Sequence, residues 1–118
     1  MSELARVEMH HEDARCIVRL RGEVDISNAQ EVSAAIERAL PNDAPTLVVD
    51  LTGTTYLDSA GIQLLFLLAG RLRSRRQEMR LVVPDDSPIR TSLELTGVPQ
   101  VIPVDASVHM SGERGQGV

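Results

Sequence analysis

The sequence predicts a single α/β domain: a mixed sheet of about five strands, mostly parallel but opened by an antiparallel hairpin, packed with three to four helices. Three observations predict it. Two adjacent runs near the N-terminus alternate apolar and polar residues with the period of half-buried strands. Beyond them, aliphatic runs are separated by single amphipathic stretches, the pattern of crossover-connected parallel strands. A chain of 118 residues is long enough for one core, and its 42% hydrophobic content is that of a globular domain.

In the first run Ala5, Val7 and Met9 alternate with Arg6, Glu8 and His10. In the second, Cys16, Val18 and Leu20 alternate with Arg15, Ile17, Arg19 and Arg21. The link His11-Glu12-Asp13-Ala14 is short enough for a hairpin. Gly22-Glu23-Val24-Asp25 is expected to be a loop leading to a helix that begins at Ser27, where Ser27 and Gln30 have capping-box spacing. Val32, Ala35, Ile36, Ala39 and Leu40 then form one apolar stripe, and Pro41 ends it because proline disfavours helical geometry in the residue before it. Leu47-Val48-Val49-Asp50-Leu51 is nearly continuous aliphatic sequence and predicts a central strand covered on both faces. Thr52 to Leu57 is expected to be a polar loop.

The next helix is predicted from Ser59 to near Arg75. At 100° per residue, Ile62, Leu65, Phe66, Ala69 and Leu72 fall on one side and should face the sheet. Leu64 and Leu67 fall on the far side beside Gln63 and Arg71, where either a neighbouring segment covers them or a partner does. Arg71, Arg73, Arg75, Arg76 and Arg80 crowd the helix end, where cations complement the helix dipole; a solvated end and a surface for an anionic partner both account for them. Leu81-Val82-Val83 is a further strand stopped by Pro84. Ser87-Pro88 caps a short helix carrying Ile89 and Leu93, and Gly97 ends it. Val101 to Val104 is expected to be a last strand, with Pro103 placing it at an edge. The domain is therefore placed at residues 4–105. Residues 106–118, which hold three glycines and no apolar period, are expected to be a frayed tail.

Composition excludes several function classes. A net charge of −5 argues against nonspecific nucleic-acid binding. Cys16 stands alone, so no internal disulfide forms and a reducing compartment is expected. Without a basic-then-apolar leader or a membrane-length apolar run, the expectation is a cytoplasmic domain with no membrane insertion.

Chemistry concentrates in Leu57-Asp58-Ser59-Ala60-Gly61-Ile62, which sets a carboxylate and a hydroxyl side by side at a helix start. His10, His11 and His109 lie near the chain ends, and no nucleophile elbow surrounds Ser59, so nucleophilic catalysis is not expected. No Cys/His cluster has metal-ligand spacing, and Gly53 and Gly61 lack the lysine of a phosphate loop. The expectation is a non-enzyme with no cofactor and no metal. Asp58 or Ser59 then serves as an N-cap, a role worth about 1 kcal/mol. Phosphorylation of Ser59 would add about −1.5 to −2 charges at a helix N-terminus able to accommodate them. Such a change would act on a partner rather than on the fold.

Gly22-Glu23-Val24-Asp25, the strand ending Val49-Asp50-Leu51, and Tyr56-Leu57-Asp58-Ser59-Ala60-Gly61-Ile62 together resemble the STAS domain, the domain of sulphate transporters and anti-sigma-factor antagonists. The resemblance implies a STAS-like fold and a partner-switching role. The unmodified antagonist binds an anti-sigma-factor serine kinase and frees the sigma factor; the kinase phosphorylates Ser59 with its own ATP and is released; a metal-dependent serine phosphatase resets the protein. The resemblance also implies that Asp25 and Asp58 dock or are recognised by the kinase, and that Ala60, Gly61, Ile62 and an exposed Leu64 join the contact surface. Ala60 replaces a second hydroxyl residue common in the family, leaving Ser59 as the acceptor within the motif. The family's closing amphipathic helix has no apolar counterpart in residues 106–118, which would leave part of the core less covered and favour self-association; a monomer or weak homodimer is expected. A second expectation from the same resemblance is a constitutive STAS scaffold or accessory subunit of a membrane lipid-transport complex. In that case Leu64, Leu67 and the arginine-rich helix end are the interface, and Ser59 is only a cap.

Overall fold

A computed structural model describes residues 5–108. Its elements are β1 (Ala5–Glu12), β2 (Arg15–Val24), α1 (Ala29–Ala39), β3 (Thr46–Asp50), β4 (Thr54–Leu57), α2 (Ser59–Ser74), β5 (Glu78–Val82), α3 (Arg90–Leu95), α4 (Val98–Val101) and β6 (Val104–Asp105). The sheet runs β1-β2-β3-β5-β6, with β4 pairing β2 off this path. Among the described strands, β1–β2 is antiparallel and the other pairs are parallel. The mixed, mostly parallel α/β sheet with an N-terminal hairpin is as the sequence predicts.

The hairpin is tighter than expected. β1 continues into the anticipated link through His11 and Glu12 until Glu12 faces Arg15, leaving a two-residue turn. Asp13 takes φ 52° there, a left-handed conformation that aspartate tolerates better than most residues.

One sheet face, carrying Val18, Leu20, Leu47, Val49 and Leu81, merges with the inward stripes of the helices into one aliphatic core. The other face gathers Ile17, Val48 and Val82, all fully buried, with Val108 packed against them. Residues 106–108 therefore do not fray: they are half-buried, and the Val108 carbonyl lies 3.5 Å from an Arg15 Nη2 donor. The rest of the expected tail, 109–118, lies outside the described residues. Thr46–Asp50 is the central strand its aliphatic run predicts.

Three local expectations are corrected. Gly22-Glu23-Val24 is strand, not loop, because β4 pairs with it in parallel. Thr54–Leu57 is therefore strand too, not a polar loop. Gly22, at φ 100°, allows the register shift at this junction, and its amide donates to the Gly53 carbonyl at 2.9 Å. Second, Val101 closes the short helix α4, so the last strand is only Val104–Asp105. It lies at the sheet edge, as Pro103 suggests, held by Arg80 Nε to Asp105 Oδ2 at 3.1 Å. Third, the helix expected at Ser87 begins at Arg90; the Ser87 hydroxyl accepts from the Ile89 amide at 3.3 Å instead of capping it.

α1 ends as proposed. Leu40, the residue before Pro41, is extended at ψ 119° and its amide still bonds Ile36. After α2, the buried Gln77 amide donates to the Pro41, Asn42 and Ala44 carbonyls, clamping the α1–β3 loop.

Candidate functional site

β2 and β4 run parallel and end side by side, so the loops that follow them meet. This brings together Asp25, after β2, and Asp58-Ser59, after β4. Asp58 makes the connection. It is the N-cap of α2, extended at φ −94° and ψ −170°, and its Oδ1 accepts from the Gly61 amide at 3.0 Å. Its Oδ2 accepts from the Ile26 amide in the other loop at 3.1 Å. One carboxylate thus caps a helix and ties down the neighbouring loop.

Asp25 folds its own loop. Its Oδ1 accepts from the Ser27 amide at 2.9 Å and from the Ser27 hydroxyl at 2.5 Å. The capping box expected from Ser27 and Gln30 does not form. α1 starts two residues later, with Asn28 as the flanking residue and no side-chain cap. Asn28 is 3% exposed and turned back toward the loop. Its Oδ1 accepts from the Asp25 amide at 2.9 Å, and its Nδ2 donates to the Glu23 carbonyl at 2.9 Å. Sequence reasoning missed Asn28 because the capping-box spacing favoured Ser27. The available signal was a polar residue directly ahead of an apolar stripe.

Ser59 is the first residue of α2 and is exposed. Asp58 has taken the cap role, so the Ser59 hydroxyl bonds to no described residue. Ala60 is half-buried beside it. Gly61 has a structural reason to be small. A Cβ on Gly61 would lie 2.9 Å from both the Val24 carbonyl oxygen and Leu57 Cδ2, so only glycine lets the first turn of α2 press against the end of β2.

Gly61 and Ile62 are buried, Ile62 at 7% exposure. Leu64 is also buried, at 5%, which corrects the expectation of an exposed leucine. It sits where α1 packs alongside α2, on the floor of a groove between the two helices. A helical wheel cannot show a second helix on that face. Leu67 is exposed as anticipated, at 53%. Ile26, at the tip of the β2–α1 loop, is 83% exposed and lines the same groove; sequence reasoning did not single it out.

The arginines divide. Arg71 and Arg75 both pair with Glu37 of α1, the latter at 3.4 Å, so part of the cluster serves to join the two helices. Arg80 pairs with Asp105 and Glu78, both at 3.1 Å, and the neighbouring carboxylates push its already high pKa further up. Among the described residues, no group of three His, Cys, Asp or Glu side chains could hold a metal ion. No described helix is long and apolar enough to cross a membrane.

Comparison with known proteins agrees with this architecture. The family model "STAS domain" matches residues 6–111. The anti-sigma-F factor antagonist RsfA of Mycobacterium tuberculosis is 29% identical over 106 residues, covering 88% of this chain and 82% of RsfA. The crystal structure of an anti-sigma factor antagonist from Mycobacterium paratuberculosis superposes with TM-score 0.80 at 23% identity, covering 90% of this chain and 89% of that one. Bacillus SpoIIAA in its phosphorylated form gives TM-score 0.64 at 18% identity, covering 93% of this chain and 99% of that one. With a family model spanning almost its whole length and the Asp58-Ser59 turn set between β4 and α2, this chain belongs to the STAS domain family.

Proposed function

We propose that this protein is an anti-sigma-factor antagonist that acts by partner switching, with Ser59 as the phosphorylated residue. The observation that carries the reading is the division of labour at the α2 N-terminus: Asp58 caps the helix, while Ser59 stands exposed with a hydroxyl that no described residue engages. A serine needed as a cap could not be modified without cost to the fold; this one can.

The unmodified protein binds a serine kinase of the anti-sigma-factor class through the surface around Asp25, Asp58 and Ala60. Gly61 and Ile62 shape that surface from beneath, and Leu64 contributes from the groove floor. Phosphate on Ser59 sits at the positive end of a 16-residue helix, where the backbone favours an anion. The same phosphate adds about −1.5 to −2 charges beside two carboxylates already present. A partner packed there meets bulk, like charge and a desolvation penalty, and lets go. A serine phosphatase restores the binding form. The kinase supplies the ATP, so the chain acts in the cytoplasm as a non-enzymatic ligand without a cofactor of its own, as a monomer or weak homodimer. RsfA, similar over most of this chain, bears the name of an antagonist, which supports the reading.

The test is binding of the kinase by Ser59→Ala and Ser59→Asp variants. Ser59→Ala should bind constitutively and resist phosphorylation, and Ser59→Asp should bind at least tenfold more weakly. Equal binding by both would sink the switch.

A further inference from the structure

α1 and α2 lie side by side, and a groove of about 650 Å³ runs between them. It begins at Ile26 and Ala60, next to Ser59, and ends at Glu37, Arg38 and Arg71. From Ala60 to Arg71 the helix rises about 16 Å, three turns. Leu64 forms the floor, and Leu67 and Ile26 expose large aliphatic surface to it. The far end is positive: Arg71 and Arg75 share Glu37, and Arg38 adds a further cation. The near end is negative, with Asp25 and Asp58 in the adjoining loops.

We propose that this groove seats an amphipathic helix of the kinase-class partner, about three turns long, with an apolar stripe on Ile26, Leu64 and Leu67 and acidic side chains against Arg38 and Arg71. The inference rests on the proposed function and specifies its partner surface. Three features select this occupant. Two adjacent helices offer no unpaired backbone to an extended strand, but their groove matches a third helix in shape. The positive end calls for acidic side chains at one end of that helix. The groove opens beside Ser59, so a helix seated in it is one that modification of Ser59 can displace.

The experiment places a photo-crosslinking amino acid at position 26, at position 67, or at the control position 94 on α3. Each variant is expressed in the native host, and the crosslinked peptides are mapped by mass spectrometry. Positions 26 and 67 should both crosslink to one ATP-binding kinase-class protein, with the position-67 adduct in an acidic amphipathic helix and position 94 silent. Arg38→Glu should reduce the position-67 adduct at least tenfold, and Ser59→Asp should abolish it. Leu67→Glu, a change at an exposed position, should weaken binding of the captured kinase at least tenfold while leaving the melting curve in place. Kinase adducts at position 26 without any at position 67 would overturn the groove and leave the proposed function standing. Adducts from position 67 to a second copy of this chain, or to a membrane-transport subunit, would overturn the groove assignment. No kinase adduct at either position would overturn both.

Discussion

Removing the Asp58 carboxylate tests how the two loops are held together. Asp58→Ala deletes the α2 cap to Gly61 and the tie to Ile26, at 3.0 and 3.1 Å. Loss of an N-cap costs about 1 kcal/mol, and loss of a hydrogen bond to a charged, partly exposed acceptor costs about another 1 kcal/mol. The expected loss is therefore about 2 kcal/mol. Asp58→Asn separates the two contributions. Asparagine is a good N-cap, and its oxygen can still accept from Gly61, but its amide cannot accept from Ile26. That variant should lose about 1 kcal/mol. Urea denaturation measures both, with an unchanged m value confirming that the comparison is of stability alone. At roughly 4 °C or more per kcal/mol for a domain of this size, the alanine variant should also melt about 8 °C lower. Equal losses for the two variants, or a loss under about 0.5 kcal/mol for alanine, would show that Asp58 does not bridge the loops.

Three further outcomes follow from other parts of the fold. Gly61→Ala should destabilise by about 1–3 kcal/mol, because the new Cβ meets the Val24 carbonyl at 2.9 Å and that backbone has no rotamer to yield; chemical denaturation checks it. Gly70→Ala should stabilise by about 0.5–1 kcal/mol, since nothing lies within 4 Å of a Cβ there and alanine is the better helix former; thermal melting checks it. Burial pushes the Cys16 thiol up from its ordinary pKa, with the negative charge of Asp43 adding to the effect. Its contribution to stability is then complete below the unfolded thiol's pKa and falls as pH rises toward the higher native value. Stability measured across that alkaline window should decline in the native sequence, and the decline should flatten in Cys16→Ala.

Much of this was legible in the sequence because one physical signal dominated at each point. Val48 and Val49 lie in a nearly continuous aliphatic run, Leu47 to Leu51, whose shortness and valines suit a strand covered on both faces. Pro41 set the end of α1, and Asp58-Ser59 marked the start of α2. The misses came where a tertiary contact decided between local options. Thr54–Leu57 carries β-branched and aromatic residues suited to a strand, but it is short, and only pairing with the end of β2 makes it one. Ser27 had the spacing of a cap, yet buried Asn28 could satisfy two backbone groups of the Asp25 loop at once. Leu64 fell on the outer side of a helical wheel drawn for α2 alone; α1 lies on that side. At the candidate site, the sequence identified Asp25, Asp58 and Ser59 but not that a single carboxylate joins their loops, because Ile26 and Asp58 are 32 residues apart.

The central claim is that phosphate at Ser59 changes the surface and spares the fold. Preparing the protein with phosphoserine at position 59, and comparing its melting and its affinity for the kinase-class partner with those of the unmodified protein, tests this directly. The account predicts a melting temperature within a few degrees of the unmodified value and an affinity at least about a hundredfold lower, the cost of like charge at an interface. Unchanged affinity, or an affinity lost only because the domain unfolds, would contradict it.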